Sequence, residues 1–176
     1  LGGLPDSEVT LAEALKARGY RTSCIGKWHL GHLPQYLPTR HGFDEYFGLP
    51  YSNDMGAGRY PPVPLIRGEE VIERPAVQET LTARYTEEAV RFIRGSRDRP
   101  FFLYVAYNEP HGPIPRPPQR YIDHFKSGSD VVDVFFSQIY GMDQGIGRIL
   151  AELERSGRLG RADRQARRSC RPGGRH

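Results

Sequence analysis

Apolar and polar positions fall into blocks that predict short strands set between helices. Thr10-Leu11-Ala12-Glu13 has the form of a capping box, in which a threonine hydroxyl and a glutamate carboxylate satisfy each other's backbone N–H groups. Leu11, Ala14 and Leu15 supply an apolar face and Gly19 a stop, so a helix is predicted over 11–18. The apolar run at 22–25 reads as a strand fed by that helix. Residues 31–64 are rich in Gly, Pro and aromatics without periodicity, which predicts a long structured loop. Adjacent Asp44 and Glu45 read as exposed turn charges there, and the neighbouring aromatics as anchors of the loop.

A small hairpin is predicted over 64–73, turning at Arg67-Gly68-Glu69-Glu70. Leu81, Tyr85, Ala89, Phe92 and Ile93 recur at helical spacing, which predicts a helix over 81–94 closed by Gly95. Residues 101–107 form a continuous apolar run of strand length, the pattern of a central strand buried on both faces. A short helix is predicted over 117–125 and a long one over 130–155, capped by Ser129. The long helix carries Val132, Phe135, Ile139, Met142, Ile146, Ile149, Leu150 and Leu153 on its predicted face. Gly141, Gly145 and Gly147 weaken it by up to ~1 kcal/mol each against alanine, and suggest close packing or a kink. Helices alternating with apolar runs place the chain in the α/β class.

The 176 residues suffice for one domain with a real core, and no run approaches the ~20 apolar residues of a membrane span. The net charge of +4 is misleading as an average. Residues 161–176 hold six Arg and one Asp, a balance of +5, so residues 1–160 sum to −1. The body therefore offers no broad nucleic-acid surface. The tail lacks apolar periodicity and is expected to be disordered. Cys24 and Cys170 do not make a disulfide framework. The chain opens on Leu1 rather than Met, so a preceding segment is expected and the compartment is left open.

Candidate chemistry concentrates at strand ends. Lys27 and His29 follow the first strand two residues apart, and in extended chain would face one side with Trp28 on the other. A cation and an imidazole aimed at one spot, with Gly26 and Gly31 bending the backbone, would hold a tetrahedral oxyanion at a strand's carboxyl end. His111 lies in a polar loop, Asn108-Glu109-Pro110-His111-Gly112-Pro113, directly after the second apolar run. His29, His32 and His41 lack the cysteine or carboxylate that would complete a known metal spacing, so no metal site is predicted.

The block Gly19-Tyr20-Arg21-Thr22-Ser23-Cys24-Ile25-Gly26-Lys27-Trp28-His29-Leu30-Gly31 resembles the second signature of the type I sulfatases, arylsulfatase-like members of the alkaline phosphatase superfamily. Gly42-Phe43-Asp44, Ser52-Asn53-Asp54, the stretch from Phe101 to His111 and Gly141-Met142-Asp143 follow in the expected order. The resemblance implies a partial alkaline-phosphatase-like sandwich over 1–160, with a central, mostly parallel sheet flanked by helices, ahead of the Arg-rich tail at 161–176. It also implies sulfuric ester hydrolysis in the full enzyme, by a formylglycine whose hydrate attacks sulfur, with Ca2+ as cofactor. A phosphoesterase of the same superfamily is the alternative enzyme, and a non-catalytic fragment the alternative role.

By position, Lys27 resembles the lysine that contacts hydrate and sulfate, and His29 the histidine that helps the hydrate collapse. His111 resembles the histidine at the sulfate and leaving oxygen, and Ser52 a substrate-side serine, while Asp54 reads as structural. The family's nucleophile motif, Cys/Ser-x-Pro-Ser-Arg, is matched by neither cysteine, and the calcium ligands and a second substrate lysine have no counterpart here. The chain is therefore expected to be inactive alone. The change of composition at Gly160, where an apolar strand is expected, suggests a truncated or shifted reading frame. Related enzymes are periplasmic, secreted or lysosomal.

Overall fold

A computed structural model describes residues 2–56, 60–112 and 116–158. The predicted Arg-rich tail lies outside the described residues. In chain order the elements are α1 (Leu11–Lys16), β1 (Arg21–Gly26), β2 (Glu45–Gly48), β3 (Leu65–Arg67), β4 (Glu70–Glu73), α2 (Leu81–Gly95), β5 (Phe101–Ala106), α3 (Gln119–Ile122) and α4 (Asp130–Arg155). The strands form one sheet in the order β4-β3-β2-β1-β5. β1 runs parallel to both β2 and β5, while β3 and β4 extend the sheet as an antiparallel hairpin. The sheet is thus mixed, with its parallel part around β1. Among the described residues, no helix is long and apolar enough to cross a membrane.

Period-two alternation divides the strand residues between two cores. Ile25, Phe47 and Leu65 face α2, where they pack with Leu81, Tyr85, Ala89 and Ile93. Their neighbours Cys24, Tyr46 and Ile66 face the other side, with Ala12, Trp28, Leu37 and Phe43. His41 joins this second layer fully buried, its ring 6.1 Å from that of Trp28. It is a core residue and is not grouped with His29 and His32.

The capping box at Thr10 and Glu13 forms as predicted, but α1 is shorter and turned differently. Ala12 is buried, whereas Leu11 and Ala14 are exposed. Only a small side chain fits where the helix backbone crosses Gly42: a Cβ on that glycine would lie 2.3 Å from the Glu13 nitrogen.

Strand β2 lies inside the segment read as loop, because its four residues are too short and too aromatic to show alternation. The charges at its start are pinned rather than free. The Asp44 carboxylate accepts from the Thr22 N–H at 2.9 Å and pairs with Lys16 at 2.8 Å. Burial opposes the shift, but the bonds from Lys16 and Thr22 prevail and hold its carboxyl below the usual range. Glu45 bridges Arg21 and Arg91.

Among the described residues β5 stands at the edge of the sheet rather than at its centre. Its residues are half-buried apart from Tyr104, which is exposed. Its apolar run therefore reflects two covered faces only in part.

Helix α4 has the predicted limits, although Ser129 makes no side-chain cap. Its buried stripe is Val134, Ser137, Gln138, Gly145, Ile149 and Glu152, which keeps Ile149 from the predicted face and is otherwise made of other positions. Val132 and Ile146 are exposed instead. Close packing on α2 selects small and polar groups. A Cβ on Gly145 would lie 2.5 Å from Thr86 Oγ1 and 2.9 Å from the Tyr107 hydroxyl, while one on Gly147 meets nothing within 4 Å.

The two glycines should respond oppositely to alanine in urea unfolding of the chain. Gly145→Ala should lower stability by about 1–3 kcal/mol through overpacking, and Gly147→Ala should raise it by up to ~1 kcal/mol through helix propensity.

Candidate functional site

The site begins where β1 ends. The Lys27 N–H donates to the Ala106 carbonyl at the end of β5 (2.8 Å). The next two N–H groups turn to the other neighbour: Trp28 to the Leu49 carbonyl (2.9 Å) and His29 to that of Pro50 (3.2 Å). So the segment leaves the sheet wedged between the ends of β5 and β2. Its two flanks lead straight to the other candidate residues, since Ala106 is five residues before His111 and Pro50 two before Ser52.

Gly26 makes the wedge possible. Its φ is +110°, and a Cβ there would lie 1.9 Å from the Ala106 oxygen. The chain beyond it is not extended, because His29 has φ +58°, a left-handed value uncommon outside glycine. The predicted same-side placement of Lys27 and His29 therefore loses its extended-chain basis. What holds is the alternation of burial: Trp28 is buried and donates its indole N–H to the Tyr36 carbonyl (2.7 Å), Lys27 is half-buried and His29 exposed.

Ser52 and Asn53 are buried at the start of a turn closed by the Met55 N–H on the Ser52 carbonyl (3.1 Å). Gln78 ties this turn to the segment before α2, donating to the Asn53 carbonyl at 3.0 Å. Ser52 Oγ finds no partner at full hydrogen-bond geometry among the described residues. It is nonetheless close enough to Asp54 to be the strongest single influence on that carboxyl, which sits below the usual range. The positive charges of His111 and Lys27 act in the same direction. Asp54, read from sequence as structural, thus shares an electrostatic neighbourhood with Lys27, Ser52 and His111.

On the β5 side, His111 closes a turn onto the Asn108 carbonyl (3.0 Å). Its Nδ1 lies 2.6 Å from the Gly112 carbonyl, which can only accept, so Nδ1 carries the proton and Nε2 is the free nitrogen. A small polar pocket joins the loops, lined by Asn53, Gln78, Leu81, Asn108, Glu109, His111 and Gln138.

Cys24 is buried in β1, and burial pushes its thiol far above the ordinary range, which leaves it a neutral core group. Cys170 lies outside the described residues. No cluster of three or more His, Cys, Asp or Glu side chains among the described residues is placed to hold a metal ion, and Asp54 sits among cations. These residues do not fit a calcium cage. From the sequence Asp54 read as structural and Glu109 had no role; the usable signal was a carboxylate two residues from Ser52 and from His111.

Residues 2–162 match the profile of the family described as Sulfatase. Arylsulfatase G of Mus musculus is 40% identical over 144 residues, covering 65% of this chain and 27% of the relative. N-acetylgalactosamine-6-sulfatase of Mus musculus is 36% identical over 174 residues, covering 89% of this chain and 32% of the relative. The chain thus spans about a quarter to a third of the length of these curated relatives. Among solved structures, the crystal structure of Ps i-CgsB in complex with k-i-k-neocarrahexaose superposes with a TM-score of 0.73 at 28% identity, over 89% of this chain and 38% of that one.

The shared neighbourhood of Asp54 is open to titration. Carbon NMR should place its carboxyl midpoint below the ordinary ~3.9, and Ser52→Ala and Lys27→Met should each move it upward. An unchanged midpoint in Lys27→Met would mean that the ammonium lies elsewhere.

Proposed function

The chain belongs to the sulfatase family, and on that premise we propose that Lys27, His29, Ser52 and His111 form the sulfate-side part of a sulfuric ester hydrolase site. Residues 1–160 would be a portion of its catalytic domain, within a longer polypeptide that hydrolyses sulfate esters. The observation that carries the reading is the wedge at the end of β1, which ties Lys27 to the strand leading to His111 and His29 to the turn leading to Ser52.

The chemistry follows from the groups present. A sulfuryl group in transfer spreads negative charge over its outer oxygens. A lysine ammonium at that strand end would stabilise this charge. His111 offers Nε2, because Nδ1 is held on a carbonyl. As imidazolium it would give the leaving alcohol oxygen the proton it needs when the S–O bond breaks. Ser52 Oγ, which has no partner at full hydrogen-bond geometry, would turn its single O–H from the Asp54 side to a sulfate oxygen. His29, exposed beside Lys27, would hydrogen-bond the oxygen that attacks sulfur and accept a proton from it.

The formylglycine nucleophile implied by the family has no candidate among these residues, and no step is assigned to calcium. The named relatives, an N-acetylgalactosamine-6-sulfatase above all, support a sulfated sugar as the substrate class.

The purified chain should bind inorganic sulfate, seen as shifts of the His29 and His111 ring signals, and Lys27→Ala should weaken that binding about tenfold or more, the size of a lost charge-assisted bond. It should not turn over 4-nitrophenyl sulfate. Turnover abolished by Lys27→Ala would overturn the view that attack comes from elsewhere. Absence of any sulfate-dependent shift would overturn the site.

A further inference from the structure

We propose that Glu109 and Thr82 are positioning residues for His111, acting through a row of hydroxyls on α2 that grips the chain just before the histidine. The proposal rests on the reading of His111 as a sulfate-side residue for its consequence, and on geometry alone for the grip.

Three consecutive residues after β5 are each bonded to one face of α2. The Tyr107 hydroxyl lies 2.7 Å from Thr86 Oγ1. Thr86 already donates to the Thr82 carbonyl (2.8 Å), so in this pair Tyr107 is the donor. The Tyr85 hydroxyl donates to Asn108 Oδ1 at 3.4 Å. The Thr82 hydroxyl donates to Glu109 Oε1. Thr82, Tyr85 and Thr86 stand at i, i+3 and i+4, one stripe of the helix.

The stripe is rigid. Tyr85 and Thr86 are almost fully buried, and Gly145 of α4 lies against both Thr86 and Tyr107. Two residues beyond Glu109, His111 is bonded only within its own loop among the described contacts, to Asn108 and Gly112. Its ring orientation therefore depends on how firmly 107–109 are held. Glu109 is the outermost point of the grip and the one nearest His111 in the chain. It also lines the pocket that His111 lines.

The grip would act on catalysis by keeping Nδ1–H on the Gly112 carbonyl, so that Nε2, once protonated, is the nitrogen that donates to a sulfate oxygen. The His111 Nδ1–H bond to Gly112 lies in the same loop as the turn that His111 closes onto Asn108. If Thr82 releases Glu109, the turn loosens, Nδ1 loses its acceptor and Nε2 no longer points to a fixed position. A role limited to stability would lower the unfolding midpoint and leave the ring tautomer of the folded protein as it was.

The test uses the whole chain and nitrogen-15 NMR of the neutral His111 ring. Thr82→Val removes the donor at nearly constant shape. Glu109→Leu removes the acceptor and serves if the valine variant folds poorly. Both should lower the Nδ1-protonated fraction below half and weaken inorganic sulfate binding about three- to tenfold, the scale of one hydrogen bond. Thr82→Ser and Glu109→Gln keep donor and acceptor, and should restore both readouts. If Thr82→Val and Glu109→Leu fold and leave tautomer and sulfate affinity at their original values, the proposal is overturned. If the original chain binds no sulfate, the site reading falls, while the tautomer comparison still decides the grip.

Discussion

Three strand ends meet in a space too narrow for side chains, and the rest of the site follows from that. Gly26 sits so close to β5 that a Cβ would overlap the Ala106 oxygen, and a Cβ on Gly48 would lie 1.8 Å from the Gly26 oxygen. With both positions bare, β1 can pass its backbone bonds from β5 to the segment after β2 within three residues. A parallel sheet then delivers Lys27 and His29, and the loops that carry Ser52 and His111, to one end of itself. This is the end at which open α/β sheets place ligands.

Position at the strand ends does not orient side chains, and different devices do that on the two flanks. Near β1, Trp28 is buried and bonded through its indole, so the residues on either side of it turn outward. Near β5, α2 supplies hydroxyls to successive residues of the following loop. That face of α2 is also covered by α4 through Gly145, which explains why the buried stripe of the long helix is small and polar. Of the apolar positions of α4, Ile149 and Leu153 keep their place at the core, while Val132 and Ile146 lie outside it.

The electrostatics of the site are mixed rather than uniformly positive. Lys27 and His111 act on Asp54, whose carboxyl is held ionised by Ser52 first and by those cations second. An anion bound between the loops would meet the Lys27 ammonium and the His111 ring as favourable partners and the Asp54 carboxylate as an unfavourable one. Binding of a dianion would therefore be weaker than the lysine and histidine alone would give. Asp54 is exposed, so solvent screens much of the repulsion.

Much of this was legible in the residues. The capping box at Thr10, the hairpin over 65–73, α2 and the limits of α4 follow from local rules in which each residue's neighbours in sequence are also its neighbours in space. The family motif around Lys27 and the polar loop at His111 were legible for the same reason. Tertiary contacts decided the remainder. β2 is a strand because β1 lies beside it, which four aromatic-rich residues cannot announce. β5 is apolar throughout yet stands at an edge of this sheet, since strand order is a matter of partners and not of composition. The grip of Thr82 on Glu109 joins residues 27 apart in sequence. No local pattern marks it, because it exists only once α2 and β5 pack together.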